Sequence, residues 1–143
     1  EVLLFQAARA QIYREIVLPS LAAGKVVLMD RSRDSSVVYQ GVVRGFGKDM
    51  IEELNNVSTK ETYPDLTLLL DLPAEVGLQR REGTGKMDRL DMESNNFHQQ
   101  VRQAYLELAK ADPTGRWVVI DASQTLEAVE AEITQEVEKR LFS

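Results

Sequence analysis

Cysteine is missing from the 143 residues, and histidine occurs once, as His98. Within this chain that excludes disulfides and cysteine- or histidine-clustered metal sites. It also argues against a serine–histidine triad. His98 sits among polar neighbours and reads as a surface group. A cysteine-free chain is compatible with a reducing compartment, and the cytoplasm is the expected location. No apolar run approaches the roughly 20 residues that span a bilayer, so no membrane partner is expected. The loop Gly-x-x-x-x-Gly-Lys-[Ser/Thr], which cradles nucleotide phosphates, is absent as well. Gly83-Thr84-Gly85 links no strand to a helix and is no dinucleotide fingerprint. Positive charge is in deficit, 17 basic against 23 acidic residues, for a net charge of −6. Such a chain repels nucleic-acid polymer, although a few clustered arginines can still hold a small anion.

What is present suits one globular domain over residues 1–143: 43% hydrophobic residues for a core and 28% charged for a solvated surface. The chain opens on Glu1-Val2-Leu3-Leu4-Phe5 without Met or a signal peptide, and residues upstream are expected. Leu4, Ala8, Ile12 and Ile16 recur every four residues and predict a helix over 1–23 with an apolar stripe. Pro19 bends or breaks it, and Gly24 stops it. Helices are predicted over 34–46, 48–60, 73–81, 91–111 and 125–142. Phe97, Val101, Tyr105 and Leu108 mark the buried face of the fourth of these. Short apolar runs at 25–30, 66–71 and 117–121 read as strands buried on both faces, each ending in aspartate: Asp30, Asp71 and Asp121. Strands alternating with helices predict an α/β fold, a parallel sheet flanked by helices. Ligands on such a sheet bind at the carboxyl ends of the strands.

Four groups of residues could carry chemistry. Asp30 and Arg31 follow a strand end, where a carboxylate can place a metal and an arginine can clamp a phosphate; Asp30 could equally be a cap. Phe5 and Arg9 share a helix face, a ring to stack on a base and a donor for its carbonyl. Phe5 as core and Arg9 as surface is the plainer alternative. Ser35, Ser36, Tyr39 and Gln40 offer hydroxyls, an amide and an aromatic wall, or simply an amphipathic helix start. Arg80, Arg81, Lys86 and Arg89 surround two glycines in a stretch without apolar residues from 82 to 86, as in a lid over phosphates or in a solvated loop. Trp117 reads as a packing residue.

In order and spacing, these segments resemble thymidylate kinase over nearly the whole chain. The resemblance is carried by Leu3-Leu4-Phe5-Gln6-Ala7-Ala8-Arg9-Ala10-Gln11, by Asp30-Arg31 with Ser35-Ser36-Val37-Val38-Tyr39-Gln40-Gly41, by Pro64-Asp65-Leu66-Thr67-Leu68-Leu69-Leu70-Asp71, and by Asp88-Arg89-Leu90-Asp91. It implies transfer of a phosphoryl group from ATP to dTMP. Phe5 would stack on thymine and Arg9 would bond its carbonyl. Arg31 would hold the acceptor phosphate, and Asp30 would help place Mg²⁺ through water. Ser35, Ser36 and Gln40 would line the base pocket, with Tyr39 under the deoxyribose. Arg80, Arg81, Lys86 and Arg89 would form the ATP-side lid, with Arg31, Arg81 and Arg89 stabilising the transferred charge. A P-loop kinase-like fold and a homodimer are implied too, with the phosphate loop and first strands upstream of Glu1. This chain alone is then expected to be inactive. Ser32, where the family has Tyr or His, is similar to the Glu-Arg-Ser of deoxynucleoside kinases, the alternative. A non-catalytic nucleotide-binding remnant is another.

Overall fold

The computed structural model describes residues 1–83, 85 and 92–142. They form two compact units, Glu1–Tyr63 and Pro64–Ser143, each with its own core. The whole is α/β, mostly helical with one small parallel sheet.

The first unit is helical. α1 (Val2–Ile12) runs into a π-helical segment (Tyr13–Val17) and then α2 (Leu18–Ala22). Pro19 explains the change of pitch: it has no N–H to close an α-turn onto residue 15, so the helix widens just before it. Gly24, at φ +72°, ends the run. Its N–H bonds Leu21 O at 2.9 Å and that of Lys25 bonds Ser20 O at 3.0 Å, which satisfies the last carbonyls. The expected apolar stripe is corrected here. Leu4, Ala8, Ile12 and Ile16 are exposed, and Gln6, Tyr13 and Val17 are buried instead. α1 and the π segment pack on α4, and the side buried carries Gln6, Tyr13 and Val17 rather than the apolar row.

The strand expected at 25–30 does not form, and Val26 and Leu28 are 67% and 94% exposed. A strand exists only as a pairing, and no described segment offers this stretch a backbone partner. The sheet therefore has two strands among the described residues rather than three. α3 (Arg33–Ser36) passes directly into a second π-helical segment (Val37–Val43) where one continuous helix was expected. α4 (Lys48–Thr59) packs on it. Gly41 permits that approach: a Cβ there would come 3.3 Å from Lys48 Cα and 3.4 Å from Gly47 O. Val37, Val38 and Ile51 form the centre of this core.

In the second unit β1 (Thr67–Asp71) and β2 (Trp117–Asp121) pair in parallel, Asp71 opposite Asp121. α5 (Ala74–Glu82) and α6 (Asn95–Ala111) cross between them, and α6 and α7 (Leu126–Leu141) cover β2. Pro73 occupies the N-cap of α5; Ser94 and Thr125 cap α6 and α7 through their hydroxyls. Val101, Ala104, Ile120, Ala122 and Val129 make the core. The strands are not buried on both faces as expected. Leu70 is 49% and Val119 45% exposed, because a two-stranded sheet leaves an edge on each strand.

Candidate functional site

The first unit gathers most of the sequence-derived candidates. Arg9 projects from α1 with Phe5 one turn away and half exposed. Its guanidinium is part-buried and heavily engaged. Nη1 donates to Asn55 Oδ1 at 2.6 Å and Gln6 Oε1 at 3.0 Å. Nη2 donates to Ser36 Oγ at 2.7 Å and Ser32 O at 3.2 Å. An arginine carries five N–H donors; the fifth, Nε–H, is in none of these bonds. Burial pulls the Arg9 pKa below its ordinary value, with Tyr13 and Asp34 opposing and Arg33 reinforcing the shift. The group remains a cation.

Arg31 stands beside this cluster with Asp30, both exposed. Its φ of +58° is left-handed, an uncommon conformation for a residue with a Cβ and one that recurs at functional sites. Its Nε reaches Ser35 Oγ at 3.4 Å, and its Cζ lies 4.6 Å from the centroid of the Tyr39 ring. Arg31, Ser35 and Tyr39 thus form one group, and Ser36 joins it to Arg9. Gln40 is buried and donates to Glu1 Oε1 at 3.4 Å. Asp30 is a single carboxylate. Among the described residues no three acidic or histidine side chains cluster to hold a metal.

Four residues that sequence reasoning missed support this site from behind. Gln6, Asn55 and Ser58 are buried and mutually bonded. Arg33, with 0% exposure, donates to Glu52 Oε2 at 2.9 Å, Asn56 Oδ1 at 2.9 Å, Thr59 Oγ1 at 3.3 Å and Thr62 O at 3.2 Å, with the Tyr63 ring 3.5 Å away. The signal was the spacing of Ile51, Asn55 and Ser58, which places two polar residues on the apolar face of α4.

The second unit holds the phosphate-lid candidates Arg80 and Arg81. Arg80 donates to Ala122 O at 2.8 Å and Ser123 O at 3.5 Å, in the turn after β2. Arg81 lines an open cavity of about 360 Å³ with Asp71, His98 and Arg102. Lys86 and Arg89 lie outside the described residues. Asp71 accepts both Nε and Nη2 of Arg102, at 2.7 and 2.9 Å, and this bonding raises the arginine's pKa. Asp121 accepts from the Ser123 hydroxyl and amide, which lower its pKa. Both aspartates that end a strand, Asp71 and Asp121, therefore have partners among the described residues. His98 is part-buried rather than on the surface, packs edge-on to Phe97, and its buried Nε2 has no hydrogen-bond partner among the described residues. Trp117 packs under Arg116.

The family described as thymidylate kinase matches residues 1–133. A thymidylate kinase of Kosmotoga olearia is 46% identical over 136 residues, 95% of this chain and 65% of the relative. That of Latilactobacillus sakei is 50% identical over 137 residues, 94% of this chain and 64% of the relative. That of Oenococcus oeni is 46% identical over 143 residues, 99% of this chain and 67% of the relative. The chain thus spans about two thirds of the length of these relatives. The match runs through α1, the Arg31 turn, both strands and α6, and the chain belongs to the thymidylate kinase family.

Proposed function

We propose that this chain supplies the acceptor side of a kinase that transfers the γ-phosphoryl group of ATP to dTMP, giving dTDP and ADP. The observation that carries this is the joining of Arg9, Ser36, Arg31, Ser35 and Tyr39 into one cluster, in a chain of this family. Arg9 offers a donor to a pyrimidine carbonyl, and half-exposed Phe5 offers a ring for stacking. Gln40 and the serines close the pocket, with Tyr39 against the sugar. Arg31 pairs with the acceptor phosphate, whose oxygen attacks the γ-phosphorus in line while the bond to ADP breaks. Catalysis is by positioning and charge neutralisation, with no covalent enzyme intermediate.

Asp30 suits a magnesium ion carried by the nucleotide, since Mg²⁺ keeps several waters and binds through one or two carboxylates plus phosphates. When bound, the ion neutralises charge on the phosphates. Arg80, Arg81, Lys86 and Arg89 form the ATP side in this reading, with Arg80 braced against the turn after β2. A homodimer is proposed as well, with the exposed row Leu4, Ile12 and Ile16 as apolar surface for it. The cytoplasm is the proposed compartment. No described helix is long and apolar enough to cross a membrane.

The test is an ATP-coupled assay of the protein expressed from its complete reading frame. Strong preference for dTMP over dCMP and dGMP is expected. Equal rates on these acceptors, or phosphorylation of thymidine but not dTMP, would refute the assignment. Nothing observed favours the deoxynucleoside kinase alternative.

A further inference from the structure

We propose that Asn55 is a positioning and specificity-determining residue, which orients the Arg9 guanidinium so that its Nε–H is the donor left for the acceptor base. Resting on the dTMP reading above, this extends the site to α4, a helix with no sequence-derived candidate.

Asn55 is fully buried, and its amide is used at both ends. Oδ1 accepts from Arg9 Nη1 at 2.6 Å and Gln6 Nε2 at 3.0 Å, while Nδ2 donates to Arg33 O at 3.0 Å. The orientation of that amide has one solution, because the guanidinium can only donate and the backbone carbonyl can only accept. Gln6 Oε1 completes the hold on Nη1 and accepts from Ser58 Oγ at 2.7 Å. Ser36 Oγ and Ser32 O hold Nη2. A guanidinium is planar and rigid, so fixing two of its nitrogens fixes the direction of the third.

All four acceptors are neutral, and Asp34 is the carboxylate near enough to act on the cation. A lone fixed donor matches a carbonyl at C4 of a pyrimidine and opposes an amino group there, which presents N–H of its own. Such an arrangement selects a keto pyrimidine over an amino pyrimidine through an unmatched polar pair. Without Asn55, Nη1 loses its shortest bond, and Gln6 loses the partner that holds its own amide in place.

The experiment compares kcat/KM for dTMP and dCMP, with ATP, in the protein expressed from its complete reading frame and in four variants. Asn55→Leu keeps the side-chain size and removes both polar ends. It is expected to lower the dTMP-over-dCMP ratio at least about tenfold, through KM more than kcat. Asn55→Asp keeps the Oδ1 acceptor but gives Arg9 a charged partner and loses the donor to Arg33 O, so kcat/KM is expected to fall for both acceptors together, with their ratio held within about threefold of wild type. A merely structural role would lower the thermal midpoint without moving the ratio between acceptors. Gln6→Met removes the other Nη1 acceptor and is expected to shift the ratio in the same direction, which provides the test should Asn55→Leu not fold. Arg9→Ala separates the two levels. If it abolishes discrimination while folded Asn55→Leu or Gln6→Met keeps the wild-type ratio, the positioning role is overturned and base recognition by Arg9 stands. If Arg9→Ala keeps the wild-type ratio, base recognition falls and the positioning role with it.

Discussion

Truncating Arg33 to alanine is predicted to be the most damaging single change in the first unit. The side chain has no exposed surface and joins α3 to α4 through Glu52, Asn56 and Thr59, and to the following turn through Thr62 O. Arg33→Ala deletes all of these and leaves a cavity against Tyr63. Breaking a buried ion pair by removing one partner costs about 3–5 kcal/mol. The individual bonds are not added to that figure, because they are parts of the same loss. Glu52's side chain is 30% exposed and can regain water, which places the expected loss near about 3 kcal/mol. With a urea dependence of about 1–3 kcal/mol per molar, the unfolding midpoint should fall by about 1–3 M at unchanged slope. Arg33→Met refills the volume and removes the buried Nε–H, which has no hydrogen-bond partner among the described residues, so its loss should be smaller. A midpoint drop under about 0.3 M for Arg33→Ala would refute the reasoning, since the ion pair would then contribute little.

Replacing Arg31 with alanine is predicted to cut transfer to dTMP by at least about 100-fold, read in single-turnover kinetics, while near-normal turnover would remove Arg31 from the phosphate site. Gly41→Ala should lower stability by about 1–3 kcal/mol, because the new methyl group meets the backbone of residues 47 and 48; a thermal scan that shows no change would contradict that packing. Asp121 is held below the ordinary value of 3.8 by the Ser123 hydroxyl and amide. Its folded pKa being the lower one, the stability it contributes is complete above the unfolded value and is lost as pH falls through the folded value. Ser123→Ala should raise that pKa in an NMR titration, and an unmoved carboxyl resonance would exclude the hydroxyl as a cause.

Residues close in sequence were legible where the chemistry is local. Pro73 starts a helix, Gly24 ends one, and the runs at 66–71 and 117–121 pair as parallel strands, because turns and apolar runs act over a few residues; the helix expected from 91 begins only after the Ser94 cap. Phe5 with Arg9, and Ser35 with Tyr39, stand one helical turn apart as their spacing predicted, whereas Arg31 joins Ser35 and Tyr39 from a left-handed turn outside the helix. The strand expected at 25–30 does not form, because pairing is non-local and its apolar residues state only that they could be buried.

By itself the sequence determined most of the helices, the two strands that pair and the family, all of which rest on residue type and spacing. Tertiary structure alone decided that Gln6, Asn55 and Ser58 surround Arg9 and that Arg33 is buried among Glu52, Asn56 and Thr59. It also decided that Asp71 belongs to Arg102. These bonds join residues 19 to 52 positions apart. A polar side chain carries no local mark of the partner that makes its burial tolerable; only packing of one helix on another brings that partner within reach.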